Sequence, residues 1–163
     1  MVIIPAIFMI SCGGDPKVPG ETAQNPLKFS VGDYASKTMK IDKKYLSIKG
    51  VPLTMQASFT YTEGKEASIE NAENFYFPLV PVGFDPQKDT LSIFAYTSVA
   101  KFNEITKNKT ELIEEATEEK TIIGTKSDYL YIVPGYILDV YTKDNIKIAP
   151  EDKRITIKLE SIQ

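Results

Sequence analysis

The amino-acid sequence predicts an all-β protein, built as an antiparallel β-sandwich with at most one short helix. Three observations support this prediction. Several stretches alternate apolar and polar residues with a period of two, and clusters of Gly, Pro, Asn and Asp separate these stretches at short intervals. The composition, 42% hydrophobic and 25% charged, is that of a folded globular chain. Short connections of this kind join antiparallel neighbours.

The 163 residues predict three segments and one folded domain. Residues 1–11 are predicted to be a signal peptide, because the apolar run from Val2 to Ile10 has the length of a signal-peptide core and is too short to span a membrane. Residues 12–26 are rich in Gly, Pro and polar side chains without a hydrophobic period, which predicts a flexible tether. Residues 27–163 are predicted to form the β-sandwich domain.

The end of the apolar run carries a recognisable pattern, Met9, Ile10, Ser11 and Cys12. This pattern resembles the lipobox of bacterial lipoproteins. The resemblance implies that Cys12 carries a thioether-linked diacylglycerol, becomes the mature N-terminus and is also N-acylated, with palmitate as the expected acyl group. Several acyl chains anchor a protein firmly where one is marginal, since each buried methylene contributes about 0.8 kcal/mol. Gly13 in place of an aspartate implies sorting to the outer membrane.

The first residues also allow a second interpretation. They could form an N-terminal strand buried in the domain, with Pro5 confining that strand to a sheet edge. In that case the protein is a soluble β-domain whose N-terminus only looks like a signal, and this interpretation predicts an N-terminus packed into the fold.

Charge and composition narrow the classes of partner. The net charge is −3, with 19 basic and 22 acidic residues mixed along the chain, so no field is strong enough to recruit nucleic acid. Arg154 is the sole arginine, which argues weakly against recognition of anions through bidentate guanidinium groups. The chain has no histidine and therefore lacks the commonest general base and transition-metal ligand.

The first half of the domain contains the clearest strands. Leu53 to Thr62 alternates strictly, which predicts one core face and one wet face. Thr38 to Ile48 alternates in two opposite phases, which predicts a bulge or turn near residues 42–44. Ala72 to Val82 is a predicted strand whose end, with Pro78 and Pro81, should be an edge or leave the sheet. Thr90 to Phe102 is apolar on both faces, so it should lie centrally.

The stretch from Asn103 to Lys120 is ambiguous. Thr110 could cap a short helix with Glu111 and Glu114 in its first turn, or Asn108 and Lys109 could form a hairpin tip. We favour the helix. Its glutamates are interpreted as a solvated face rather than a cation site.

The C-terminal part predicts a regular series of short strands. The predicted strands are Thr121 to Ile123, Tyr129 to Val133, Ile137 to Tyr141, Ile146 to Ile148 and Ile155 to Leu159. Seven to nine strands with such turns suggest an immunoglobulin-like or transthyretin-like sandwich.

A search for catalytic chemistry is mostly negative. The chain has no glycine-rich phosphate loop, no G-x-S-x-G elbow and no zinc-ligand spacing. Paired carboxylates remain an alternative, because glycoside hydrolysis needs only two acids. The aspartates in or near predicted loops are Asp33, Asp85, Asp89, Asp128, Asp139 and Asp144. The Asp85 to Asp89 spacing lacks the dense oxygen ligands of a calcium loop, so we expect no metal and no cofactor.

The candidate binding residues are the tyrosines around the Pro134–Gly135 turn, namely Tyr129, Tyr131, Tyr136 and Tyr141. Tyrosine is favoured at protein interfaces and sugar platforms, because it offers rigid apolar area with a hydroxyl at its rim. Cross-strand aromatic pairs within a sandwich explain the same residues equally well.

We therefore expect a non-enzymatic, lipid-anchored protein of the bacterial envelope whose β-sandwich acts as a binding or assembly module. Its partners would be the membrane, through the anchor, and an envelope protein or glycan. The alternatives are a periplasmic carboxylate-based hydrolase or inhibitor and the soluble β-domain described above. Two aspartates held about 5–10 Å apart in a cleft would favour the hydrolase, whereas an exposed aromatic patch would favour the binding module.

Overall fold

The computed structural model describes residues 18–37, 39–54, 57–61, 64–66, 71–106, 118–127 and 133–163. The strands are β1 (Leu27–Ser30), β2 (Tyr45–Pro52), β3 (Ser58–Tyr61), β4 (Ala72–Val80), β5 (Thr90–Leu91), β6 (Ile93–Ser98), β7 (Lys120–Lys126), β8 (Lys147–Ile148) and β9 (Ile155–Ile162). The helices are α1 (Val31–Ser36), α2 (Val99–Thr106) and α3 (Gly135–Lys143), with a 3-10 turn at Glu151–Lys153.

Seven of the described strands form one sheet that closes on itself. Its order is β1-β2-β7-β9-β6-β4-β3, and β2 pairs in addition with β4. The strands β2, β4, β6, β9 and β7 therefore make a five-stranded barrel, with β1 and β3 added at its sides. When the five barrel strands are numbered 1 to 5 in chain order, they pair around the barrel in the order 1-2-3-5-4-1. The third and fifth barrel strands, β6 and β9, are parallel. This is the strand topology of an OB-fold barrel, and topology of this kind does not by itself fix a function.

The prediction of an all-β protein is confirmed, and the antiparallel sandwich is corrected to a barrel. An immunoglobulin-like or transthyretin-like protein has two facing sheets, whereas here the pairing of β2 with β4 closes one sheet. Two neighbouring pairs, β1–β2 and β6–β9, are parallel rather than antiparallel. Parallel strands need a long crossover, and the segment between β6 and β9 contains α2, β7 and α3.

One face of each barrel strand fills the interior. Phe75 and Phe77 of β4 meet Phe102 of α2, with ring centroids 4.2 Å and 6.2 Å from the Phe102 ring. Alternate residues of the other strands complete this cluster. They include Leu46, Ile48, Ile93, Ala95, Ile122, Ile155, Ile157 and Leu159. Burial of one such side chain contributes about 1.5–3 kcal/mol, so this interior is the main source of stability.

The opposite face of β4 and β6 is covered by α3. Tyr76 and Tyr96 stack at 5.3 Å on this outer face, and Phe94 lies 5.9 Å from the ring of Tyr141. Ile137 belongs to the same buried cluster. The central position predicted for the strand from Thr90 is therefore confirmed, because β6 lies between β4 and β9 and is buried on both faces.

Two predicted strands end in, or are replaced by, helices. The strand predicted from Thr90 to Phe102 stops at Ser98, whose hydroxyl accepts a hydrogen bond from the backbone N–H of Lys101 at 3.1 Å and so helps to start α2. The strand predicted from Ile137 to Tyr141 is wrong, because these residues lie in α3. Ile137 and Tyr141 are buried four residues apart, on one helical face.

Two further strand predictions are shorter in the structure. The strand predicted from Leu53 to Thr62 is represented by β3 alone, Ser58–Tyr61. The strand predicted from Thr38 begins only at Tyr45, although Ile41 is buried in the barrel interior. The short helix predicted around Thr110 and the strand predicted from Tyr129 lie largely outside the described residues.

Pro78 lies inside the sheet rather than at an edge. β4 pairs with β6 along one side, and along its other side it pairs first with β3 and then with β2. Pro78 lies at the junction between these two partners, where no backbone N–H is needed for strand pairing. Its carbonyl accepts a hydrogen bond from the Leu53 N–H at 3.0 Å.

The tether predicted over residues 12–26 does not extend through residues 18–26. The Gly20 N–H donates to the Asn25 carbonyl at 2.6 Å, and the Gly20 carbonyl accepts from the Tyr45 N–H at 3.0 Å. Gly20 has φ +86° and an added Cβ would lie 2.5 Å from Lys43 Cβ, so this turn is packed against the start of β2. Residues 1–17, with the predicted signal and Cys12, lie outside the described residues.

The helix α1 follows β1 without a loop, and the sequence analysis missed it. The Ser30 hydroxyl accepts the Asp33 N–H at 3.0 Å and donates to the Asp33 carboxylate at 2.8 Å. Lys37 pairs with the same carboxylate at 2.7 Å. Lys37, and after it Ser30, hold the pKa of the Asp33 carboxyl below its ordinary value. These contacts start a six-residue helix that isolated propensity would not support.

Replacing Ser30 by alanine is expected to lower the free energy of unfolding by about 1 kcal/mol, the usual effect of removing an N-cap hydroxyl. Urea unfolding followed by circular dichroism measures the change. Ser36→Ala in the same helix is the control, because its exposed hydroxyl only donates to the Asp33 carbonyl at 3.3 Å. Equal losses for the two variants would contradict the assignment of Ser30 as the cap.

Candidate functional site

The structure separates the four tyrosines predicted as a binding surface. Tyr129 and Tyr131 lie outside the described residues. Tyr136 and Tyr141 both lie on α3, but their environments are opposite: Tyr136 is 56% exposed and Tyr141 only 1%. Of this predicted set, the described part of the chain therefore offers Tyr136 alone to a partner.

Tyr141 is a structural residue, which corrects its assignment as a binding residue. Its ring packs on Phe94, with 5.9 Å between ring centroids. Its hydroxyl shares a hydrogen bond with the side chain of Ser58 on β3. Burial raises the pKa of the Tyr141 hydroxyl to about 12, and the Ser58 hydrogen bond opposes this shift only in part. Tyr141 thus fixes α3 against both β6 and β3.

The raised pKa of Tyr141 predicts a loss of stability in alkali. The folded state holds the hydroxyl proton more tightly than the unfolded chain, whose tyrosine pKa is 10.0. The resulting stabilisation is complete below about pH 10 and is lost as the pH rises towards 12, with an amplitude of about 2–3 kcal/mol. Tyr141→Phe keeps the ring and removes the titration. Urea titrations at several pH values should show a flatter decline for the variant, and parallel declines would contradict this account.

An exposed apolar surface does exist, but its members differ from those predicted. Tyr136 and Val140 lie four residues apart on the outer face of α3, and Tyr61 stands at the end of β3. All three side chains are at least one-third exposed. Partial burial, and secondarily the charge of Tyr61, raise the pKa of the Tyr136 hydroxyl. The hydrogen bond between Tyr141 and Ser58 joins α3 to β3, the two elements that carry Tyr136 and Tyr61. We call Tyr61, Tyr136 and Val140 the tyrosine surface.

The tyrosine surface is held by rigid elements. Tyr61 is paired with Ala72 of β4, and its ring lies 6.4 Å from that of Phe59. Phe59 in turn lies 5.2 Å from Phe75 in the barrel interior. The positions of Tyr136 and Val140 are fixed by the buried face of α3. The surface is therefore preorganised, so little conformational entropy is lost when a partner binds.

Tyr61 was missed because its alternation placed it on the predicted core face with Phe59. In the structure β3 is a side strand of only four residues, and a tyrosine at its end reaches solvent. The signal available in the sequence was the adjacent turn, Glu63–Gly64–Lys65, since residues beside turns are rarely fully buried.

Comparisons with known proteins found no match that indicates a function. No protein-family model matches the chain, and no curated protein matches it. None of the described helices is long and apolar enough to cross a membrane.

The loop carboxylates proposed for the hydrolase are engaged in local structure. Asp85 accepts the Gln87 N–H at 2.9 Å and pairs with Lys88 at 2.7 Å, and Asp89 accepts the Asp85 N–H at 2.8 Å. Lys88, and after it the Gln87 N–H, hold the pKa of the Asp85 carboxyl below its ordinary value. A general acid requires a raised pKa, so Asp85 is unsuited to that role.

The remaining predicted aspartates are dispersed. Asp33 lies in the first turn of α1, where its carboxylate accepts the Ser30 hydroxyl. Asp139 lies within α3 and Asp144 follows its end, while Asp128 lies outside the described residues. Within the described ranges, no three Asp, Glu, Cys or His side chains come together to hold a metal ion. The arrangement supports local capping and ion pairing rather than a two-acid centre.

Proposed function

We propose that this protein is a lipid-anchored component of the bacterial outer membrane whose β-barrel domain is a non-catalytic binding module. The module engages an envelope protein or glycan through the tyrosine surface. The observation that carries this proposal is the exposure of Tyr61, Tyr136 and Val140. These three side chains stand on two rigid elements, β3 and α3, which the hydrogen bond between Tyr141 and Ser58 joins. The membrane is the second partner, through acyl chains on Cys12.

The chemistry of the tyrosine surface suits such partners. A tyrosine ring offers a large apolar face at the cost of few rotatable bonds, and its hydroxyl can still bind a polar group. Sugar rings stack on such faces, and protein interfaces are enriched in tyrosine. The loop aspartates support the hydrolase alternative less well, because they serve as caps and ion-pair partners.

The packed turn at residues 18–26 shortens the tether that we propose. If the mature chain begins at Cys12, six residues, 12–17, connect the anchor to this turn, and six residues reach at most about 20 Å. The domain would then stay close to the lipid headgroups instead of about 45 Å away. A short spacer of this kind favours partners at or near the membrane.

Photo-crosslinking in cells tests the binding module. A benzoylphenylalanine in place of Tyr136 should give a discrete adduct, because its reactive ring would lie in the partner contact. The matched control carries the same group in place of Val82, which is 66% exposed and lies in the β4–β5 loop. Adding Tyr61→Ala should weaken the Tyr136 adduct several-fold. Equal labelling at the two positions, or none at position 136, would overturn the assignment.

A further inference from the structure

We propose that a cleft between α1, the β4–β5 loop and the Glu151–Lys153 turn binds an amphipathic organic anion, a carboxylate on a short aliphatic or aromatic body. This inference does not depend on the tyrosine surface or on the anchor. The cleft has a volume of about 500 Å³, within the roughly 300–1,000 Å³ of typical small-molecule sites.

One wall of the cleft is apolar. Val31 and Tyr34 of α1 face it together with Met39, Phe84 and Ala149. The Tyr34 hydroxyl donates to the Lys153 carbonyl at 3.1 Å, which joins α1 to the opposite side of the cleft. Val31 and Ala149 are buried in the domain, so this wall is continuous with the packed core. It can remove an apolar ligand body from water, at about 25 cal/mol for each Å² buried.

The rim of the cleft carries three lysine side chains. Lys37, Lys88 and Lys153 line it, although the whole chain has a net charge of −3. Lys37 and Lys88 pair with Asp33 and Asp85, but their side chains are 66% and 81% exposed. Exposed pairs of this kind are weak, so a ligand carboxylate can compete for these ammonium groups.

The third ammonium group is free to bind an anion. Among the described residues, no carboxylate lies within 4.0 Å of Lys153 Nζ. Asp89 also lines the cleft. Its carboxylate accepts the Asp85 N–H at 2.8 Å and so contributes to the structure of its own loop.

These features together select the ligand class. Three flexible ammonium groups are point charges that attract an anion without demanding a bidentate geometry. The apolar wall would be left in contact with water by a small inorganic anion, and an apolar ligand without charge would leave the ammonium groups unused. A carboxylate on a short apolar body can contact both the apolar wall and the lysines of the rim.

Fluorescence titration of the full chain carrying Phe84→Trp tests the proposal. The protein has no other tryptophan, so the signal comes from the cleft alone. Octanoate should give a saturable change, whereas octyltrimethylammonium, with the same chain and opposite charge, should give none. The triple variant Lys37→Gln, Lys88→Gln, Lys153→Gln should bind octanoate about tenfold more weakly.

A second triple variant provides the matched control. Lys101→Gln, Lys120→Gln and Lys143→Gln remove the same charge from sites outside the cleft, and two of these lysines, Lys101 and Lys120, are ion-paired with a glutamate. This variant should bind octanoate within about twofold of the parent. Calorimetric titration of the unaltered chain checks that Phe84→Trp has not created the site. Equal binding of both surfactants, equal weakening by both triple variants, or no octanoate binding at millimolar concentration would overturn the proposal.

Discussion

Gly124→Ala is expected to lower the free energy of unfolding by about 3 kcal/mol, a severe loss for a domain of this size. An added Cβ at this position would overlap the carbonyl oxygen of Lys158 and lie 2.9 Å from Cγ1 of Ile157. Both contacts belong to β9, and the nearer one is backbone. A backbone atom in a closed barrel cannot rotate away, so the strands must separate instead.

Gly124 occupies the point where the barrel is most constrained. The register of β7 against β9 shifts between Ile123 and Gly124, which marks a β-bulge, and Gly124 is paired on its other side with Leu46 of β2. A bulge increases the local twist that a barrel needs to close. A side chain at position 124 would push β7 away from β9. We therefore expect it to weaken the pairing of β7 with both β9 and β2.

Guanidinium unfolding of Gly124→Ala beside Gly135→Ala measures this effect. Gly135 begins α3, and nothing lies within 4 Å of an added Cβ there. Alanine at Gly135 should leave stability unchanged or raise it by a few tenths of a kcal/mol. The barrel account would be contradicted if Gly124→Ala were as stable as the parent chain.

Two predicted strands are found at the expected places in the sheet. The closing strand from Ile155 to Leu159 is found as β9, and the doubly apolar strand from Thr90 is found at the centre of the sheet as β6. In both cases alternation over several residues fixes which faces are buried. Local pattern alone was sufficient there.

The segment from Ile137 to Tyr141 shows why an apolar pattern can fit two structures. In a strand, residues two and four apart share a face, and in a helix residues four apart also do. Burial of Ile137 and Tyr141 is therefore compatible with both periods. A strand would also place Asp139 on their buried face, whereas Asp139 is exposed, on the side of the helix away from them.

Closure of the sheet depends on contacts that are distant in the sequence. The β2–β4 pairing that completes the barrel involves only Val51 with Val80 and Pro52 with Leu79. The parallel pairing of Ile93 with Ile155 joins residues on either side of α2 and α3. Neither pairing has a local signature in the sequence. The same strand pattern is therefore expected for a sandwich and for a barrel.

The candidate site was predicted in part. Tyr136 was identified from composition near a turn, and its exposure agrees with that role. Tyr141 was included because sequence proximity was taken as spatial proximity, although a helix turns residues five apart to different faces. Predicting Tyr61 as part of this surface would have required the knowledge that β3 lies beside α3.

Cys12→Ala is expected to abolish membrane association. The anchor we propose consists of several acyl chains, and each buried methylene contributes about 0.8 kcal/mol, so their removal eliminates the whole binding energy. Cys12 is the sole cysteine, so no other thiol can be acylated in its place. Gly13→Asp is the matched control, because it should retain the acyl chains while changing the membrane to which the protein is sorted.

The intact mass and membrane fractionation of the natively expressed protein, beside Cys12→Ala, test the central claim most directly. The account predicts that the native protein sediments with membranes and has the mass of an acylated chain beginning at Cys12, while the variant does not associate with membranes. A soluble native protein that retains residues 1–11 and carries no acyl mass would contradict the lipid anchor.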